Sequence, residues 1–344
     1  MRFLFRLFKR LILLVVVLVL GLLSPVAYIE TMCRPEGALI AHDPLVGADW
    51  QRAEGRTLLT YPEWHIVHAY ADYAEVIRTG APHDYGFLSA IGGFWSSTCA
   101  LSQASGPHGG FPWETKQMVY TIGVSFTAEL LLKAAYEETI GRLFSGTRAP
   151  LDDRSARQAA DYAVFLQQTP WYKWDFTRDA AELNAAATSA LRDRERRFAL
   201  GLEYRAKAAY AKVIEAAVAA VGADQLRLRA VVTGIDPAAL AALPEVQVIE
   251  TLPQGVVIEA PRYRAFTRLA GQVAAAGGEF VEIAGNDDVL FTVVSDNATA
   301  EGAVHSFARQ GNPGYRHLML VAVSGLSAAL RALPDGALEH IHDY

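Results

Sequence analysis

The segment Thr60-Tyr61-Pro62-Glu63-Trp64-His65-Ile66-Val67-His68 gathers the residue types best suited to chemistry. His65 and His68 stand three apart, so on a helix they share a face. With Glu63 at the helix start, two imidazoles and a carboxylate could bind a transition metal or the edge of a haem. The spacing differs from the His-x-x-x-His and Glu-x-x-His pairs of helical metal sites. Structural histidines are therefore the blander expectation. His83 and His108 could complete a site, but both lie beside Pro or Gly in expected loops. His340 and His342 alternate on one strand face near Asp343 and give a weaker metal signal.

Other motifs fall short of catalysis. Gly123-Val-Ser125-Phe-Thr127 begins like a nucleophile elbow but lacks the second glycine and a preceding strand. Glu137 and Glu138 are adjacent on a helix and point in different directions. Glu129 and Lys133 are spaced to pair with each other at i,i+4. The cluster Pro170-Trp171-Tyr172-Lys173-Trp174-Asp175-Phe176 could form an interfacial aromatic belt or pack on a neighbouring hairpin. No phosphate-binding glycine loop occurs. No cofactor is predicted, a metal or haem at His65 and His68 being the alternative.

Several of these motifs occur together and in order. Tyr61-Pro-Glu-Trp64 with Ile66-Val67 is followed by Phe94-Trp95, then Ile122-Gly-Val-Ser-Phe126. Glu129, Lys133, Tyr136-Glu137 and Thr139-Ile-Gly-Arg142 come next, then Pro170-Trp-Tyr172 and Asp175-Phe176. As a set, across residues 58–178, they resemble a family of uncharacterised bacterial membrane proteins. The resemblance implies a membrane location and transfers no catalytic residue. This chain departs from the family pattern in carrying His rather than Tyr at positions 65 and 68, which weakens the metal idea.

The elements that must carry these residues begin with an anchor. Arg2, Arg6, Lys9 and Arg10 precede an uncharged run from Leu11 to Ile29, closed by Glu30. At about 1.5 Å per residue the run reaches roughly 28 Å, close to the thickness of a bilayer's hydrocarbon core. It exceeds the apolar core of a cleaved signal peptide, and Pro25 spoils the best cleavage site. The positive-inside rule places the N-terminus in the cytoplasm and the body outside, at a bacterial inner membrane facing the periplasm.

The net charge is −6, and without the four N-terminal cations 27 Lys and Arg face 37 Asp and Glu. So acidic a body argues against nucleic-acid binding, which needs clustered cations. Cys33 and Cys99 are the only cysteines. Two buried free thiols are expected, a disulfide being what an oxidising compartment would allow.

The expected organisation is α+β. A transmembrane helix (1–30) and a connector (31–57) lead to a helical membrane-proximal domain (58–222) and a ferredoxin-like α+β domain (223–344). A helix is expected from Glu63 to Thr79 with Pro62 in its first turn, and another from Gln117 to Ile140. The stretch Gly86 to Trp113 holds no Asp, Glu, Lys or Arg, and with the following helix it could pack on the membrane, lie in a soluble core or add two spans. Further helices are expected at Asp153–Gln168 and Asp179–Val221, with Arg192 to Arg197 as a solvated face. Beyond Leu226 the pattern is β-α-β-β-α-β, continued by a strand at Val289–Val294, a helix at Ala298–Arg309 and a strand at Leu318–Val323. The segments GIDPAALAALP (234–244) and GLSAALRALP (325–334) suggest an internal β-α-β repeat.

A non-enzymatic envelope protein that binds membrane lipid or a protein partner fits these features best. Its aromatic, uncharged surface candidates are Trp64, Phe94, Trp95, Trp113 and Trp171, and the binding candidates are Tyr61, Glu63, Trp64, His65, His68, Trp95, Glu129, Lys133, Trp171 and Tyr172. The alternatives are a membrane-bound metal or haem enzyme using Glu63, His65 and His68, and a small-molecule sensor using the ferredoxin-like region.

Overall fold

A computed structural model describes residues 2–52, 56–221 and 226–343. Met1, Tyr344 and the expected domain boundary near residue 222 lie outside the described residues. The first helix, α1 (Arg2–Met32), leaves the body: its side chains from Phe5 to Leu20 are exposed, whereas Ile29 and then Cys33 are buried. Six further helices follow: α2 (Arg56–Thr79), α3 (Phe87–Ala104), α4 (Trp113–Tyr136), the short α5 (Arg142–Phe144), α6 (Pro150–Leu166) and α7 (Phe176–Ala186). The long α8 (Leu191–Val221) closes the helical region. Helix α2 begins seven residues before the expected start, so Pro62 lies inside it. Helices α4 and α5 are joined by a π-turn at Glu137–Gly141. The expected single helix from Asp179 is broken between α7 and α8, where Asp193 accepts from the backbone and hydroxyl of Thr188.

Among the described residues two helices, Phe5–Met32 and Trp113–Phe144, are long and apolar enough to cross a membrane by length and composition. The second has a face in the body, where Val119, Tyr120, Phe126 and Leu130 are buried against aromatic residues of α2 and α3. The uncharged stretch before it also packs inward as α3, with Phe94, Trp95 and Leu101 buried. Phe94, Trp95 and Trp64 are therefore core residues, in contrast to the surface role expected for them.

The rest is two four-stranded antiparallel sheets. The first holds β1 (Arg227–Thr233), then, after the short α9 (Pro237–Ala241), β2 (Gln247–Leu252) and β3 (Gly255–Pro261). Helix α10 (Arg264–Ala275) leads to β4 (Glu279–Ile283), and the strand order is β2-β3-β1-β4. The second holds β5 (Asp288–Ser295), β6 (Ala303–Ala308), β7 (Tyr315–Ala322) and, after α11 (Val323–Ala332), β8 (Leu338–His342), in the order β6-β7-β5-β8. The chain is thus α+β. The expected helix at Ala298–Arg309 is instead a turn and β6. Gly302 stands at φ 74°, and residues 303–308 pair with β7, so tertiary pairing overrides the local alanine content.

The two sheets repeat strand for strand, but not as the sequence match suggests. The matched segments form α9 and α11, yet α11 occupies the place of α10, between the third and fourth strands of its sheet. Between β5 and β6 no helix forms.

Both sheets share a core with α10 and α11, built from Ala230, Val232, Phe266, Phe280, Phe291, Leu326 and their neighbours. The opposite face of each is also covered. The connector covers the first: buried Glu282 accepts from the backbone N–H of Leu45 and Val46, and Val46 packs on Val231 and Val257. Helices α2 and α3 cover the second, with Leu58, Tyr61, Trp64 and Leu101 against Leu290 and Leu318. Strands covered on both faces read as continuous apolar runs, as in Ala230-Val-Val232. Cys33 and Cys99 form a disulfide, with Cα atoms 5.2 Å apart, and close the base of α1 onto α3. That corrects the expectation of two free thiols.

Candidate functional site

Helix α2 turns its expected metal-site face toward the second sheet. His65 and His68 are buried, while Glu63 lies on the exposed side. Both ring nitrogens of His65 are engaged: Nε2 lies 2.9 Å from the Ala90 carbonyl, and Nδ1 lies 3.3 Å from the Tyr61 hydroxyl. A ring that donates to Ala90 through Nε2 accepts from Tyr61 through Nδ1, leaving no lone pair for a metal. Gly93 makes this fit possible, since a Cβ there would stand 2.7 Å from His65 Cε1.

His68 differs. Its Nε2 is buried without a hydrogen-bond partner, 3.5 Å from Glu339 Oε2. Trp64 stacks on His340 with ring centroids 3.3 Å apart and planes 22° apart. His340 Nδ1 meets Thr267 Oγ1 at 3.0 Å, and His342 Nε2 meets Thr292 Oγ1 at 2.8 Å. Burial drives the ionisation of all four rings downward. His65 falls to about 4 and His342 to about 3, and the nearby Arg316 adds to the effect at His65 and His68. The layer is therefore a stack of neutral imidazoles at pH 7. Among the described residues, no group of three or more His, Cys, Asp or Glu converges to hold a metal ion.

The charge in this layer comes from Arg316 on β7. It donates to both oxygens of Asp72 on α2, at 2.8 and 2.9 Å, and through Nε to Glu339 on β8. Asp72 also accepts from the backbone N–H of Gln310. Beside this triad a cavity of 280 Å³ opens between α2, α3, β6 and β7. His65, His68, Ser96, His305, Phe307 and Arg316 contribute to its wall. Asp72 carried no sequence signal, and neither did His305 and Arg316, because the strands that bring these two to α2 lie more than 220 residues further on.

The remaining expected site residues form a second, separate cluster within the helices. Glu129 and Lys133 do not pair with each other. Glu129 accepts from Tyr70 at 2.8 Å and Lys207 at 2.9 Å, and Lys133 reaches Glu203 at 3.3 Å. Lys207 also bonds Glu203, whose carboxyl is held down at about 2; burial opposes this, and the two lysines overcome it. Rings of Tyr70, Tyr162 and Phe176 surround the Lys207 ammonium at 5.0–5.9 Å. Next along α4, Glu137 takes a bidentate pair from the buried Arg196, while Arg192 pairs with Asp152 and Glu195. The Arg192 to Arg197 run is thus largely an internal ion network, rather than a solvated face. Trp171 packs on Tyr210, and Trp174 on Phe165 and Tyr162, so this aromatic cluster joins α6 to α8. Trp95 donates to Thr127 Oγ1 at 2.9 Å.

Comparison with protein-family models, curated proteins and solved structures finds no match to this chain.

Proposed function

We propose that the chain is a non-enzymatic protein of the bacterial envelope, anchored in the inner membrane by α1, with its body in the periplasm and resting on the lipid surface. One observation carries this reading. Leu39, Ile40 and Trp113 are each more than 60% exposed and gather where α1 joins the body. The Ile40 N–H donates to the Pro107 carbonyl, and Leu39 lies against Gly109. Lys116, one turn after Trp113, pairs with Glu30 near the end of α1 at 2.8 Å. Tyr28 and Met32, in the last turns of α1, are exposed as well. An apolar rim at the foot of an apolar helix, with Trp and Tyr in it, suits the headgroup level.

Supporting features are the four cations before α1 and the Cys33–Cys99 disulfide, which suits an oxidising compartment. The ferredoxin-like reading of the distal region is part of the proposal. It is supported by the antiparallel β2-β3-β1-β4 order and its echo in the second sheet. A protein partner is supported by the exposed stripe Leu191, Phe198, Leu202 and Val213, whose spacing keeps one face of α8.

A photoactivatable phospholipid in nanodiscs tests the lipid reading on the full chain. Adducts on residues 39–40 and 113 are expected in addition to those on α1. Adducts confined to α1 would contradict it.

A further inference from the structure

We infer that the cleft between α2, α3, β6 and β7 is a binding site for a small uncharged polyhydroxy molecule of about monosaccharide size. The proposal is independent of how the body meets the membrane.

Size comes first. At 280 Å³ the cavity would hold roughly nine waters at ~30 Å³ each. It lies just under the range of ~300–1,000 Å³ found for small-molecule pockets. The junction of two structural regions is also a usual place for such sites.

Charge then narrows the ligand. Among the described residues that line the cleft, Arg316 is the one Lys or Arg, and two carboxylates already neutralise it. The lining thus offers no unpaired Lys or Arg to a phosphate or carboxylate. Both Asp72 oxygens are occupied by Arg316, and one also accepts from Gln310. No carboxylate in the wall is therefore open to an ammonium group.

What the wall offers is neutral hydrogen bonding. His68 lines the cavity and is 6% exposed, with its Nε2 turned to Glu339 at 3.5 Å. At the mouth, Ser96 Oγ and His305 Nε2 lie 3.2 Å apart and each can exchange donor and acceptor roles. Ser89 is exposed beside them, and Phe307 and Tyr85 supply ring surface for the carbon skeleton. Groups that both donate and accept, with no net charge, match hydroxyls.

Saturation-transfer NMR on the full chain in nanodiscs tests this, with D-glucose and myo-inositol as neutral probes and inorganic phosphate and ethylammonium as charged ones. At least one polyol should bind saturably at millimolar concentration. Ser96→Trp, a change at an exposed helix position, should abolish binding by filling the mouth while leaving the unfolding temperature unchanged. His305→Phe should weaken it about tenfold, the factor for one hydrogen bond of about 1.4 kcal/mol. The inference is overturned if neither polyol binds, if transfer survives Ser96→Trp, or if either charged probe competes with the polyol.

Discussion

Arg316 on β7 donates to both carboxylate oxygens of Asp72 on α2, across 244 positions of sequence. This contact ties the helical region to the second sheet, and Glu339 completes it from β8. Both partners are almost fully buried. Breaking such a pair strands a charge, whereas replacing the pair with apolar groups does not. Arg316→Met should therefore cost about 3–5 kcal/mol, since it strands both Asp72 and Glu339, and Asp72→Ala less, since Arg316 keeps its contact with Glu339. Urea unfolding followed by tryptophan fluorescence measures both.

Acid should loosen the same interface. The folded-state values of His65 (about 4) and His342 (about 3) lie below the ordinary 6.5, so the unfolded chain binds more protons across that window. Stability is then full above pH ~6.5 and falls as pH drops toward 4. His68 and His340 shift in the same direction. Asp343 opposes them: burial raises it from 3.8 to about 6, which favours the folded state as pH falls through 6. Burial raises Glu339 as well, and the four imidazoles outweigh these two carboxyls. The melting temperature should be lower at about pH 5 than at about pH 7, and His65→Gln should flatten the dependence.

Gly123 lets α4 meet α3. A Cβ there would lie 2.4 Å from Phe94 Cε1 and 2.9 Å from Trp95 Cη2. Gly123→Ala should destabilise by about 1–3 kcal/mol through overpacking. Gly92 on α3 has nothing within 4 Å of its Cβ position, so Gly92→Ala should be stabilising by about 0.5–1 kcal/mol through helix propensity. Thermal unfolding of the two variants side by side checks the contrast.

The disulfide closes a sequence separation of 66 residues around the foot of α1. On the loop-entropy account its loss removes up to about 4 kcal/mol. Cys33→Ser with Cys99→Ser should lower the melting temperature, and the unmodified protein should show no free thiol to Ellman's reagent before reduction.

The sequence makes local features legible and long-range ones obscure. The charge-free run after Arg10 marks α1 directly. The turn residues after Leu226 mark most of the strands. His65 and His68 also stand out as a pair, but their surroundings come from β7 and β8, which no local pattern announces. The same distance hides the Asp72–Arg316 contact. Glu129 and Lys133 illustrate the converse error: i,i+4 spacing permits a pair, yet α8 supplies Lys207 and Glu203 and each prefers the partner on the other helix. Residues 303–308 read as helix on composition and form β6, because β7 offers an open edge.

The central claim, that the body rests on the bilayer at the foot of α1, is tested most directly by tryptophan quenching. The full chain in nanodiscs containing lipids brominated near the headgroup should show a quenched component that Trp113→Phe removes. Trp64 and Trp95, buried in the body, should contribute none. Equal quenching in the unmodified protein and in Trp113→Phe would contradict the account and reduce α1 to a tether.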